Sequence, residues 1–169
     1  MRLIERISKG MQGIAFGLIE GIIMILGLSL GVSGLSNSAL FVFVVGFTGA
    51  IADAFANFSG LWVSEEIESE HKISSHSKEE ILFAAVLAFF STLVSAVIPI
   101  IPYLFLDIPS ARIYSVIIGL ILLFAFGVFH ATKSHENGLI EGTKFALLGL
   151  FTSIICFYIG SVLPGLILP

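Results

Sequence analysis

Charge is scarce in this chain. Only 12% of its 169 residues are Asp, Glu, Lys or Arg, whereas 57% are hydrophobic and the mean hydropathy is +1.07. A soluble domain of this size carries about 25% charged residues, and its helices keep a polar face. The long apolar runs of this chain are apolar all round, so they exclude a soluble helical bundle and predict an all-α polytopic membrane protein.

Cysteine is nearly absent as well. Cys156 is the single cysteine, which excludes a disulfide framework or a thiolate metal site built from this chain. A cleaved signal peptide is also excluded, because the first apolar stretch is long, contains Glu20 and has no small-residue cleavage site. The first ten residues alternate basic and apolar side chains, which instead predicts a short amphipathic helix on the membrane surface.

Five apolar stretches are long enough to cross a bilayer, which takes roughly 20 residues. They form one transmembrane domain and cover residues 12–33, 39–63, 81–105, 111–132 and 142–167. The turn between spans 1 and 2 is short, so these two helices are predicted to be antiparallel neighbours. The longest and most charged connection is the predicted cytoplasmic loop, residues 64–80. Pro99 and Pro102 predict a bend or an end late in span 3.

The basic residues predict the orientation. Seven fall at one end of the five spans and only Arg112 falls at the other, and such a bias predicts a cytoplasmic N-terminus. The seven are Arg2, Arg6, Lys9, Lys72, Lys78, Lys133 and Lys144.

The histidines and most carboxylates share this cytoplasmic side. They either solvate the membrane surface or attract a cation to the mouth of a pathway. Oxygen and imidazole ligands suit divalent iron, manganese or zinc. The residues predicted to bind the arriving ion are Glu65, Glu68, Glu70 and His71.

Two acids lie inside the predicted spans, where an ionisable group is a functional candidate by default. Glu20 lies roughly 12 Å and Asp53 roughly 15 Å from the cytoplasmic ends of their helices, so the two carboxylates are predicted to lie at similar depth and to converge. Met24 and Asn57 lie one turn further along the same faces. Two carboxylates, an amide oxygen and a thioether suit a divalent ion such as iron(II). The alternatives are a protonated carboxyl bonded to a neighbouring helix and a methionine that only packs.

Glycine recurs every four residues in span 1, at Gly13, Gly17 and Gly21, and again at Gly27, Gly31 and Gly34. Small residues at this spacing let helix backbones approach closely. Packing within the chain explains the pattern, and a homodimer through helix 1 is the further hypothesis.

Several segments together resemble the vacuolar iron transporter family. The run that begins at Gly17, Gly-Leu-Ile-Glu-Gly-Ile-Ile, and the glycine-rich run that follows are similar to its first helix. Ala-Asp-Ala-Phe-Ala-Asn, from Ala52, resembles its second helix, together with the Gly-Leu-Trp-Val-Ser end at Ser64. Segments 88–102 and 144–160 resemble its third and fifth helices. The order and spacing of these fragments cover most of the chain.

The resemblance implies a dimeric transporter that moves iron(II), and in some members manganese(II), out of the cytosol in exchange for protons. By the same resemblance, Glu20 and Asp53 match pathway acids, and Asn57 stands where the family has a methionine, which removes a soft ligand. The chain also lacks the long insertion between helices 2 and 3 that forms a cytoplasmic metal-binding domain. Glu65, Glu68 and Glu70 are then the stub of that acidic helix.

The sequence also bears on two other functions. Gly31-Val-Ser-Gly34 fits the Gly-x-Ser-Gly pattern of an intramembrane protease, but the histidines lie on the other side from Ser33, so an enzyme is not expected. A non-transporting metal sensor or adaptor would use the cytoplasmic Glu/His cluster. The expected partners are lipids, a divalent ion as cargo and a second copy of the chain, with no nucleic acid and no permanently bound cofactor. The expected location is the plasma membrane of a prokaryote, or otherwise an organelle membrane.

Overall fold

The computed structural model describes residues 2–70, 78–134 and 136–167, and within them the side chains other than those of residues 2–9, 65, 66, 68–70, 133, 134 and 167. Every element in this part of the chain is a helix. The helices are α1 (Arg2–Leu35), α2 (Ala39–Glu70), α3 (Lys78–Ile100), α4 (Pro102–Phe105), α5 (Ile108–Ser134) and α6 (Gly138–Ile167).

Five segments are long and apolar enough to cross a membrane, which confirms the all-α fold with five transmembrane helices. They cover Gly10–Leu35, Ala39–Ser64, Lys78–Phe105, Ile108–Thr132 and Gly138–Leu166. The third of them combines α3 with the short α4. The predicted effect of the prolines is confirmed, because α3 ends at Ile100 and Pro102 opens α4, a position that proline favours.

Two boundaries differ from the sequence-based expectation. α2 continues through Glu70 instead of ending before Ser64, because the glutamate-rich segment is a good helix former and contains no Gly or Pro. α1 begins at Arg2 and runs unbroken to Leu35, so the first ten residues are not a separate surface helix. Gly10 packs on Phe83 and Leu87 of α3, which fastens this early part of α1 to the bundle.

α1 lies at the centre of the bundle and contacts α2, α3, α5 and α6. Half of the most apolar stretch of α1 is buried inside the bundle, against 11% of the corresponding stretch of α6. Ile22, Ile25 and Leu26 are almost fully buried and contribute to two core clusters.

The glycines of α1 explain how its neighbours come so close. A Cβ atom at Gly13, Gly17 or Gly21 would collide with the backbone of α3. Two serines of α3 also bridge to α1, since Ser91 Oγ donates to the Gly13 carbonyl at 3.5 Å and Ser95 Oγ donates to the Gly17 carbonyl at 3.2 Å. The glycine stripe of α1 therefore packs within the chain.

Candidate metal-ion site

The candidate site lies between α1, α2 and α3. Asn57, which is 5% exposed, places its amide between Glu20 of α1 and Thr92 of α3. Oriented to satisfy both neighbours, the amide nitrogen donates to Glu20 Oε2 at 2.9 Å and Oε1 at 3.2 Å, while the amide oxygen accepts from Thr92 Oγ1 at 3.0 Å. Both carboxylate oxygens of Glu20 are thus held by one side chain, and three helices are tied together at this level.

Asn57 therefore presents a hydrogen-bond donor to Glu20. Its amide oxygen, the atom that would ligate a cation, faces Thr92. In this arrangement Asn57 fixes the position of the Glu20 carboxylate. Its predicted role as a ligand stays a prediction, and it requires the amide to turn.

Asp53 is the second acid of the site. It lies close enough to Glu20 for the two carboxylates to interact electrostatically. Its Oδ2 atom is buried and has no hydrogen-bond partner among the described residues. The structure thus brings Glu20, Asp53 and Asn57 together, as the sequence predicted.

The packing of α1 on α2 gives the relative depth of these residues. Leu28 packs on Gly49, and Glu20 bonds Asn57. In this antiparallel register Asp53 lies level with Met24, one turn or roughly 6 Å along α1 from Glu20. The two acids are therefore offset by about a turn instead of lying at one depth.

Met24 lies beside this site and is partly buried. It packs against the cluster that contains Ile25 and Val42, and it lines a groove between α1 and α6 of about 560 Å³. Packing against this cluster covers part of the Met24 side chain. Its predicted role as a soft ligand stays a prediction.

The predicted cytoplasmic ligands lie at the edge of what the structure describes. The helix α2 includes Glu65, Glu68 and Glu70, but their side chains are outside the described part, and His71 lies outside the described residues altogether. Among the side chains that are described, no three or more His, Cys, Asp and Glu come together as a metal-binding group. Glu20 and Asp53 are two such residues, one fewer than a group of this kind requires.

Sequence reasoning missed Thr92 and its neighbours Ser91 and Ser95. All three are buried on the face of α3 that meets α1. The available signal was that Ser95 follows Thr92 by three residues and Ser91 by four in an apolar helix, because hydroxyls at these spacings share one helix face and bond across helices in membranes.

A second polar cluster lies at the opposite end of α1. Arg112 of α5 donates from Nε to Ser33 Oγ at 3.0 Å and from Nη2 to the Ser33 carbonyl at 2.6 Å. Ser33 Oγ donates in turn to the Leu30 carbonyl at 2.8 Å. The serine of the Gly-x-Ser-Gly pattern thus joins the ends of α1 and α5.

Comparison with known proteins identifies the family. The model of the VIT family matches residues 11–83 and 67–161. The chain belongs to this family. The resemblance seen in the sequence is thereby confirmed, and the short connection after α2 marks the chain as a member without the long cytoplasmic insertion.

A relative of this VIT-family protein has a similar length. It is the uncharacterized protein MJ0645 of Methanocaldococcus jannaschii, which is 27% identical over 90% of this chain and 89% of its own. VIT-family members are transporters rather than enzymes, and the five apolar helices make this chain an integral membrane protein. Family membership supports metal-ion transport across a membrane as its function.

Proposed function

We propose that this VIT-family protein exports iron(II) or manganese(II) from the cytosol in exchange for protons, and that Glu20 and Asp53 hold the ion in transit. The observation that carries the proposal is the buried Oδ2 atom of Asp53, which lacks a partner among the described residues and lies beside a second carboxylate. A buried carboxylate oxygen left unsatisfied is costly. A divalent cation between Glu20 and Asp53 would satisfy it.

The competing explanation is a protonated carboxyl that only bonds a neighbouring helix. Such a role needs a partner for the hydroxyl, and no described residue provides one for Asp53 Oδ2. Glu20 differs, since Asn57 satisfies both of its oxygens. Glu20 is therefore held in place by Asn57, whereas Asp53 keeps one oxygen without a partner among the described residues. This combination suits a site that must capture and release an ion.

Proton exchange follows from the pairing of the acids. Two neighbouring carboxylates tend to keep a proton between them when no metal is bound. An arriving dication displaces this proton, and departure of the ion allows it to return. The excess of basic residues at one end supports a cytoplasmic N-terminus, and hence loading from the cytosol.

A homodimer through α1 is part of this proposal. Glu20 and Asp53 are both partly exposed at the surface of the single chain, and a carboxylate that faces lipid is costly. The groove lined by Met24, Gly27 and Gly31 lies on the same side of α1 as Glu20. A second copy against this side would shield the acids from lipid and enclose the pathway.

Transport by purified protein in liposomes tests the site. With a pH gradient, the wild type should take up manganese(II), and iron(II) under reducing conditions, while protons move in the opposite direction. Glu20→Gln and Asp53→Asn should each lower uptake by at least about tenfold, because a lost charge–cation contact of about 1.4 kcal/mol or more gives that factor. The double variant should be inactive.

The matched control is Glu79→Gln, which removes an exposed carboxylate from the first turn of α3 and should transport normally. Unchanged uptake by the Glu20/Asp53 double variant would reject the site. If the wild type binds metal but moves none, and binding survives the double substitution, the sensor or adaptor function replaces the transporter.

A further inference from the structure

Arg112 is a cation in the second turn of α5, roughly 6 Å along the helix from Ile108. Ser33 accepts two of its hydrogen bonds, and its guanidinium carbon lies 4.5 Å from the centre of the Phe157 ring. A guanidinium carries five N–H donors, so these contacts leave donors without a partner among the described residues. No described carboxylate forms an ion pair with Arg112, so its positive charge is not neutralised within the described residues.

An apolar groove begins at this guanidinium. It runs between α5 and α6 and has a volume of about 330 Å³. Leu30 of α1 and Ser153 of α6, both nearly buried, lie at its base, and Ile113, Ile117 and Ile154 form an exposed rim. From Leu150 to Phe157 the groove follows α6 for roughly 10 Å, which suits an extended hydrocarbon chain.

We propose that this groove, called the Arg112 groove, binds a phospholipid with an anionic headgroup. An acyl chain lies along Ile113, Ile117 and Ile154, and a phosphate oxygen accepts from the free donors of Arg112. Charge complementarity favours this occupant, because a guanidinium near the end of a membrane-spanning helix, with no ion-pair partner among the described residues, is matched by an interfacial anion joined to an apolar chain. The site is distinct from the Glu20 and Asp53 pair and does not depend on the transported ion.

A second groove on α6 provides the contrast. It is lined by Lys144, Leu147 and Phe151 among others and is larger, at about 560 Å³. Lys144 donates to Glu141 Oε1 at 2.5 Å, so its charge is already paired. If an apolar groove beside a cation were sufficient, both would select anionic lipids. The pairing of Lys144 predicts that only the Arg112 groove does so.

Native mass spectrometry of the full chain, released from detergent in the presence of equal amounts of phosphatidylglycerol and phosphatidylethanolamine, tests the proposal. The first lipid bound by the wild type should be phosphatidylglycerol, by about fivefold or more. Arg112→Gln should bring the ratio close to one, Arg112→Lys should keep most of the preference, and Lys144→Gln should leave it unchanged. Val116→Trp, which fills the groove and keeps the guanidinium, should reduce the binding of phosphatidylglycerol.

Each result decides the assignment. Equal binding of the two lipids by the wild type, or an unchanged preference in Arg112→Gln, overturns it. A dimer whose formation expels phosphatidylglycerol assigns the groove to a second copy of the chain. If Arg112→Gln does not fold, the wild-type ratio and the Val116→Trp result decide, because neither removes the contact between Arg112 and Ser33.

Discussion

At the scale of single residues, Asn57 joins the carboxylate of Glu20 to the hydroxyl of Thr92, which lies on a third helix. The sequence identified Glu20, Asp53 and Asn57, because polar groups are conspicuous in apolar helices. It could not give the direction of the amide. That direction depends on Thr92, which is 35 residues away along the chain and became a neighbour only when α3 packed against α1 and α2.

Thr92→Val tests this bridge. Removing the hydroxyl leaves the buried amide oxygen of Asn57 without a donor, and an interhelical hydrogen bond in a membrane protein contributes about 1 kcal/mol. We expect the variant to lose about this amount in the free energy of unfolding in detergent and to bind manganese(II) more weakly, since Thr92 no longer orients the Asn57 amide that holds Glu20. Thr92→Ser keeps the hydroxyl and should behave like the wild type. Equal metal affinity in the valine and serine variants would show that the bridge does not position Glu20.

At the scale of elements, close packing determines which helices are neighbours, a question that the apolar pattern of the sequence does not answer. Hydropathy predicted five spans, and the glycines predicted that α1 approaches other helices closely. Neither pattern showed which helices these are. The structure places Gly13, Gly17 and Gly21 against α3, and Gly27, Gly31 and Gly34 against α6. A pattern of small residues predicts that a helix packs closely against another. It does not predict which helix that is, because every neighbouring helix is equally apolar.

Gly17→Ala tests the contact of α1 with α3. Its Cβ atom would come to 2.5 Å from the Ala88 carbonyl and also collide with the Ser91 hydroxyl, so the helices must separate. Overpacking of this kind costs about 1–3 kcal/mol, and the melting temperature in detergent should fall. Gly60→Ala is the control, because nothing lies within 4 Å of the added atom. It should leave stability unchanged or raise it by up to about 1 kcal/mol. Equal melting temperatures for the two variants would contradict the packing.

At the scale of the whole molecule, the sequence predicted the class and the number of helices well, because a bilayer demands long apolar segments. It predicted the end of α2 poorly, since polar residues can either leave the membrane as a loop or continue as a helix in water.

The surface of the single chain is also informative. The two acids are partly exposed on it, which is the basis of the proposed dimer.

Thiol cross-linking in native membranes tests that dimer. Phe16 is 46% exposed and lies one turn from Glu20 on the same side of α1. In a Cys156→Ser background, Phe16→Cys should form a covalent dimer with a short bifunctional thiol reagent. Ile121→Cys, which is 61% exposed on α5, should not. Cross-linking at position 121 alone would move the interface to α5.

The glycine contacts of α1 also bear on how its cargo can change in evolution. Positions 13, 17, 21, 27, 31 and 34 are packed closely against neighbouring helices, so substitutions there disturb folding before they affect ion binding. Glu20 and Met24 lie between them and are only partly buried. Selection can therefore exchange the side chains proposed to meet an ion without disturbing the scaffold. Differences in ion preference among relatives of this length should arise at such intervening positions, while the glycine framework stays fixed.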